Sequence, residues 1–153
     1  MGMASSFRGG GSPHIVARTE VRFRAGTDAD SPAPRNDPRI RVTVLIVDDH
    51  ADFRAWAGAL LHGEGYDVVG EAADGEGALT AARALRPDVV LLDVQLPGPS
   101  GFEVARRLTG TAVVLTSTRD REDYGPAIER CGACGFITKI DLSGPALAAV
   151  LAA

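Results

Sequence analysis

The chain has 153 residues, 45% of them hydrophobic but only 5% aromatic, and a formal net charge of −4. That suits one domain plus an extension, with a core of Val, Leu, Ile and Ala, and it argues against nucleic acid, whose phosphates need a basic surface. No apolar stretch reaches the ~18 residues of a membrane span and no signal segment follows the start, so a soluble, cytoplasmic protein without a membrane partner is expected.

Residues 1–39 carry six arginines and four acids, so residues 40–153 hold ten cations and sixteen acids. Gly9–Gly11, Pro13, Pro32, Pro34 and Pro38 break any regular pattern in the first part, which reads as a flexible tail. Val16–Phe23 alternates weakly, and a paired strand there is the other reading. The folded part begins at about residue 40. Val42–Val47 is almost wholly apolar and β-branched, the pattern of a strand covered on both faces, and it ends at Asp48 and Asp49. Phe53, Trp56, Ala57, Leu60 and Leu61 then recur at helical spacing as one buried stripe, closed by Gly63 and Gly65.

Tyr66–Ala73 is a second strand, and Asp74 can cap the helix after it, which Pro87 stops. Val89–Leu92 is a third buried strand, ending at Asp93 before a loop punctuated by Pro97, Gly98, Pro99 and Gly101. Ser100 and Glu103 form a capping box for a short helix. Ala112–Leu115 is a fourth strand, ending at Thr116 and Ser117. Arg119–Arg130 reads as a polar helix whose first turn Gly125-Pro126 delays or distorts. Cys131 and Cys134 follow that helix, where its partial negative charge opposes thiolate formation, so they read as a tight turn rather than a redox pair or zinc half-site. Gly135–Thr138 is a fifth strand ending at Lys139, the only lysine in the chain, and Ser143 caps a last helix. This alternation predicts an α/β fold: three layers, a doubly wound five-stranded parallel sheet with helices on both faces.

The polar residues gather at one end of that sheet. If the first and third strands are neighbours, Asp48, Asp49 and Asp93 meet at the switch point where open α/β sheets bind ligands. Three carboxylates would repel, and one lysine does not neutralise them, which implies a divalent cation. An all-oxygen donor set selects Mg²⁺ over Zn²⁺. A carboxylate, a hard dication, a hydroxyl and an ammonium together make a phosphoryl-transfer site. Asp93 is then the nucleophile and phospho-acceptor. Asp49 and Asp93 ligate the metal with the Gln95 carbonyl, Asp48 acts partly through water, and Thr116 and Lys139 stabilise the transferring oxygens.

The segments I-V-D-D-H, L-L-D-V-Q-L-P-G-P-S-G, V-V-L-T-S and G-F-I-T-K resemble, in order, the motifs of response-regulator receiver domains. The resemblance covers residues 40–153 and implies the flavodoxin-like strand order 2-1-3-4-5. It implies a sensor histidine kinase as phosphodonor, Thr116 as switch hydroxyl and Phe136 as switch aromatic. The chain departs from the pattern at Ile140, which replaces the usual proline, at Ser100, which replaces a common acid, and at Gly125-Pro126 on the expected output face.

The resulting expectation is a single-domain regulator, monomeric or a weak phosphorylation-dependent homodimer. It has no DNA-binding output domain before the end at Ala153, so it signals through an unknown downstream protein. The rival enzyme, a small Mg²⁺-dependent phosphatase with an Asp nucleophile, needs an acid at position 95, where Gln95 stands. A degenerate receiver used only for binding is the third reading, and the complete site speaks against it. His50 reads as a solvated helix-start residue, and no nucleophile turn or Gly-rich dinucleotide loop is visible.

Overall fold

The computed structural model describes residues 15–16 and 41–153. Five strands, β1 (Thr43–Val47), β2 (Asp67–Ala72), β3 (Val89–Asp93), β4 (Ala112–Ser117) and β5 (Gly135–Thr138), alternate with helices. The helices are α1 (Ala51–Gly63), α2 (Gly75–Leu85), α3 (Gly101–Arg107), α4 (Ala127–Arg130) and α5 (Gly144–Ala152). The strands pair in parallel in the order β2-β1-β3-β4-β5, as expected. A sixth, two-residue strand, Ile15–Val16, joins the outer edge of β2 antiparallel. The rest of the expected tail, including most of Val16–Phe23, lies outside the described residues.

Alternate side chains of each strand enter opposite cores, which is why the strands are apolar throughout. Leu45, Val47, Val90, Leu92, Val113 and Leu115 pack with Ala78, Val104 and Ile128 under α2, α3 and α4. Val44, Ile46, Val89, Leu91 and Val114 pack with Ala57, Leu61 and Leu147 under α1 and α5. The caps read from the sequence are present. Asp74 accepts from Gly77 N–H at 2.7 Å, Ser100 and Glu103 form the reciprocal box, and Ser143 accepts from Ala146 N–H at 3.0 Å.

Two expectations need correction. The α1 stripe is rotated: Arg54, Ala57 and Leu61 are buried, while Trp56 is 48% exposed. The buried guanidinium finds acceptors under the helix, so this face is set by an ion pair as well as by apolar periodicity. The helix expected over 119–130 is only a 3₁₀ turn, Arg121–Asp123, and the single turn α4. Gly125 between them has φ 56°, which breaks the helical run, and Pro126 follows as the N-cap.

Gly101 lets α3 start directly against the end of β3. A Cβ there would press on the Asp93 carbonyl oxygen and stand 2.8 Å from Val94 Cα. Backbone cannot yield as a flexible side-chain tip does. Gly101→Ala should therefore cost about 2 kcal/mol or more in chemical denaturation, where Gly110→Ala, with no atom near its Cβ, should cost less despite its positive φ.

Candidate functional site

Strand register assembles the site. Val47 pairs with Leu92, so the next residues, Asp48 and Asp93, leave β1 and β3 side by side. Asp93 pairs with Thr116, and Ser117 pairs with Thr138, the residue before Lys139. Four side chains of three chemical kinds, separated by up to 91 positions along the chain, thus reach one level of the sheet.

The cluster is mostly desolvated. Asp48 and Thr116 are buried, and the Asp93 side chain is 5% exposed. Asp48 Oδ1 accepts from His50 N–H at 2.8 Å. Its buried Oδ2 has no hydrogen bond of good geometry and rests against the Lys139 ammonium at 2.5 Å. The same ammonium lies 3.4 Å from Asp93 Oδ2 and 4.6 Å from the Phe53 ring centroid. Asp93 Oδ1 accepts from Gln95 N–H at 3.3 Å, which ties the loop to the acid. Asp49 is more open, and His50 Nδ1 stands 3.1 Å from both Asp48 Oδ1 and Asp49 Oδ1. His50 is solvated, as expected from the sequence, yet it also joins the acidic cluster, which the sequence did not indicate.

The electrostatics record an excess of negative charge. The Asp93 carboxyl is pushed from 3.8 up to about 6, first by burial and then by the Asp48 charge, against the pull of Lys139 and the Gln95 N–H. Burial alone would lower Lys139, but its contacts with Asp48 and Asp93 outweigh that and raise it. One donor atom each from Asp48, Asp49, His50 and Asp93 lies within 4.8 Å of the others. Ligands opposite each other on a small hard dication stand about 4.2 Å apart, so a shift of under an ångström would seat one. Three carboxylates and an imidazole converging around one ammonium offer mainly oxygen donors and too little positive charge, which fits such a cation.

Residues 44–147 match the response regulator receiver domain family. The chain belongs to that family. The receiver is 39% identical over 103 residues to the response regulator GacA of Pseudomonas aeruginosa, covering 64% of this chain and 48% of that protein. It is 42% identical over 106 residues to the DNA-binding response regulator MtrA of Mycobacterium tuberculosis, covering 65% of this chain and 45% of that one. The chain spans about half the length of these curated relatives. Among solved structures, the signal receiver domain of the response regulator NarL of Mycobacterium tuberculosis has TM-score 0.67 and 33% identity over 74% of this chain and 98% of that one. The chemotaxis response regulator CheY4 of Vibrio cholerae has TM-score 0.63 and 29% identity over 74% and 98%. Members of this family are signalling phospho-acceptors, and among the described residues no helix is long and apolar enough to cross a membrane.

Two features of this receiver escaped the sequence. Buried Arg54 donates from Nε to Glu71 at 3.0 Å and from a terminal nitrogen to the Asp48 carbonyl at 2.6 Å, fixing the backbone that carries the acid pair. Its spacing of three and seven from Ala57 and Leu61 was the available signal. At the end of β4, Ser117 Oγ lies 2.6 Å from the Tyr124 hydroxyl and accepts from Arg119 N–H. The Tyr124 ring stands between Phe102 at 5.6 Å and Phe136 at 5.9 Å, so Phe136 is half-buried and one step from Ser117.

Arg54→Met should cost about 3 kcal/mol in chemical denaturation, because Glu71 keeps a buried charge without its guanidinium, and adding Glu71→Met should restore much of the loss. The raised Asp93 value has its own signature. The folded state keeps this proton to about pH 6 while the unfolded chain loses it near pH 4, so stability falls as pH rises through that window. Thermal unfolding in chelator should show Asp93→Asn more stable than wild type at pH 7, with the difference shrinking below about pH 4.

Proposed function

We propose that Asp93 accepts a phosphoryl group from the phosphohistidine of a sensor histidine kinase, with Mg²⁺, and that the added charge switches a protein-interaction face. The observation that carries this reading is the Asp93 carboxylate itself. It is buried at a strand end, touches Lys139, and has two further acids within 4.8 Å. Asp48, Asp49, Asp93 and the Gln95 carbonyl would hold the Mg²⁺, which when bound offsets negative charge on phosphoryl oxygens.

In the transfer, an Asp93 carboxylate oxygen attacks phosphorus while the phosphorus–nitrogen bond breaks. The bonding pair leaves with the imidazole, and the product is an acyl phosphate on Asp93. Lys139 releases Asp93 Oδ2 and turns its ammonium to a phosphoryl oxygen. The Thr116 hydroxyl, one strand away, donates to another. A phosphoryl group brings roughly −1.5 to −2 charge, so both partners are drawn toward it.

The readout follows the movement of β4. Phe136 turns into the space that Thr116 leaves, which alters the face formed by α4, β5 and α5. An open groove of about 430 Å³ lies on that face, lined by Phe136, Thr138, Ala146 and Val150, and it suits a protein partner. On this reading residues 40–153 are the receiver and residues 1–39 an extension outside it. The protein works in the cytoplasm as a monomer or a weak dimer favoured by phosphorylation. The name of MtrA assigns DNA binding to that relative; here output passes through the receiver face to a downstream protein.

Incubation with Mg²⁺ and a small phosphodonor should add one phosphoryl group to the wild type by intact mass and none to Asp93→Asn. A label that persists in the variant overturns the assignment. Thr116→Ala should keep the label but lose the accompanying NMR shifts of the Tyr124 and Phe136 rings.

A further inference from the structure

At the sheet end opposite the carboxylates, the chain leaves α2 and α3 and turns into β3 and β4. A cavity of about 360 Å³ opens there, lined by Arg83, Arg86 and Arg107 and by no acid. Residues 40–153 hold ten cations against sixteen acids, so three of the ten gathering in one concavity is a local reversal of the domain's charge.

Helix C-termini attract cations, which accounts for Arg83 and Arg107 in the last turns of α2 and α3. It does not account for Arg86. That residue is left-handed, φ 49° and ψ 57°, the only non-glycine with positive φ among the described residues. Glycine is the ordinary occupant of such a position, and a side chain there is strained. Strain kept at a residue that lines a cavity points to use of its side chain.

The guanidiniums are also available. Arg107 faces Glu76 at 3.9 Å with both side chains more than half exposed, a pairing that water largely screens. Arg83 and Arg86 form no ion pair among the described residues. The rest of the lining includes apolar Leu79, Pro87 and Leu108. The loop between α3 and β4 is held in place, since Thr111 Oγ1 donates to the Pro87 carbonyl at 2.8 Å.

We infer that this cavity binds a small polyanion with an apolar body, the chemistry of a nucleoside diphosphate. Planar guanidiniums meet phosphate oxygens in pairs, and the apolar wall takes the flat remainder. The volume lies in the ordinary range of small-molecule pockets. A nucleic acid is disfavoured, because it needs an extended basic track and this domain is acidic around a single concavity. The site is independent of phosphorylation at Asp93.

The test is an NMR titration of the full ¹⁵N-labelled chain with ADP in chelator, which keeps metal from the acidic cluster. The Gly110 and Thr111 amides should shift and saturate below about 10 mM. Arg83→Gln with Arg86→Gly should weaken binding roughly tenfold or more, and glycine suits the left-handed position. Phosphodonor labelling of Asp93 in that variant should match the wild type. Pyrophosphate and adenosine should each bind more weakly than ADP. Absence of saturable shifts, shifts unchanged by the double substitution, or pyrophosphate binding as tightly as ADP would each overturn the inference.

Discussion

One ammonium holds two buried carboxylates from non-adjacent parts of the chain. Lys139 leaves β5, crosses the level of Thr116 on β4, and meets Asp93 at the end of β3 and Asp48 at the end of β1. The contact therefore spans four strands, and it exists only in the order β1-β3-β4-β5. It is also incomplete. One positive charge faces Asp48 and Asp93 at close range, and burial first, then the Asp48 charge, push the Asp93 carboxyl up to about 6 despite it. The same burial that makes the cluster costly makes it selective: a dication or a transferring phosphoryl group changes the local charge where water screens least.

Much of this was legible because strand ends are legible. Each apolar run stops at a polar residue, and in a parallel sheet all those ends lie on one side. Asp48, Asp93, Thr116 and Lys139 could thus be placed together from the pattern alone, given the neighbouring of the first and third strands. Arg54 was not legible, because a charged residue on a surface helix normally reads as solvated. Its spacing from Ala57 and Leu61 put it on the buried stripe, but the acceptors that permit its burial, Glu71 seventeen positions on and the Asp48 carbonyl, leave no trace in that pattern. The helix expected over 119–130 failed for a related reason. Its composition is helix-compatible, but the left-handed Gly125 divides it, and Tyr124 is fixed by Phe102, Phe136 and Ser117 from three other parts of the chain. His50 shows the limit from the other side: its exposure was foreseeable, its contact with two acids was not.

The Tyr124 contacts bear on how steep the switch can be. Moving a two-state equilibrium from one per cent to ninety-nine takes about 5.5 kcal/mol of differential affinity. In the resting arrangement the Ser117–Tyr124 hydrogen bond contributes about 1 kcal/mol net, and each aromatic contact roughly 0.5–1.5. Together they oppose rearrangement by a few kcal/mol. Charge-assisted bonds from Thr116 and Lys139 to a phosphoryl group are worth roughly 1.5–3 kcal/mol each. The two sides are of the same order, so on the proposed reading neither state is held overwhelmingly. A four-residue α4 fits that balance, since a single turn has few internal bonds to break and is easily re-formed. The face that would carry the signal is therefore built from the least cooperative part of the domain, next to the most constrained part, and Tyr124 is where the two meet.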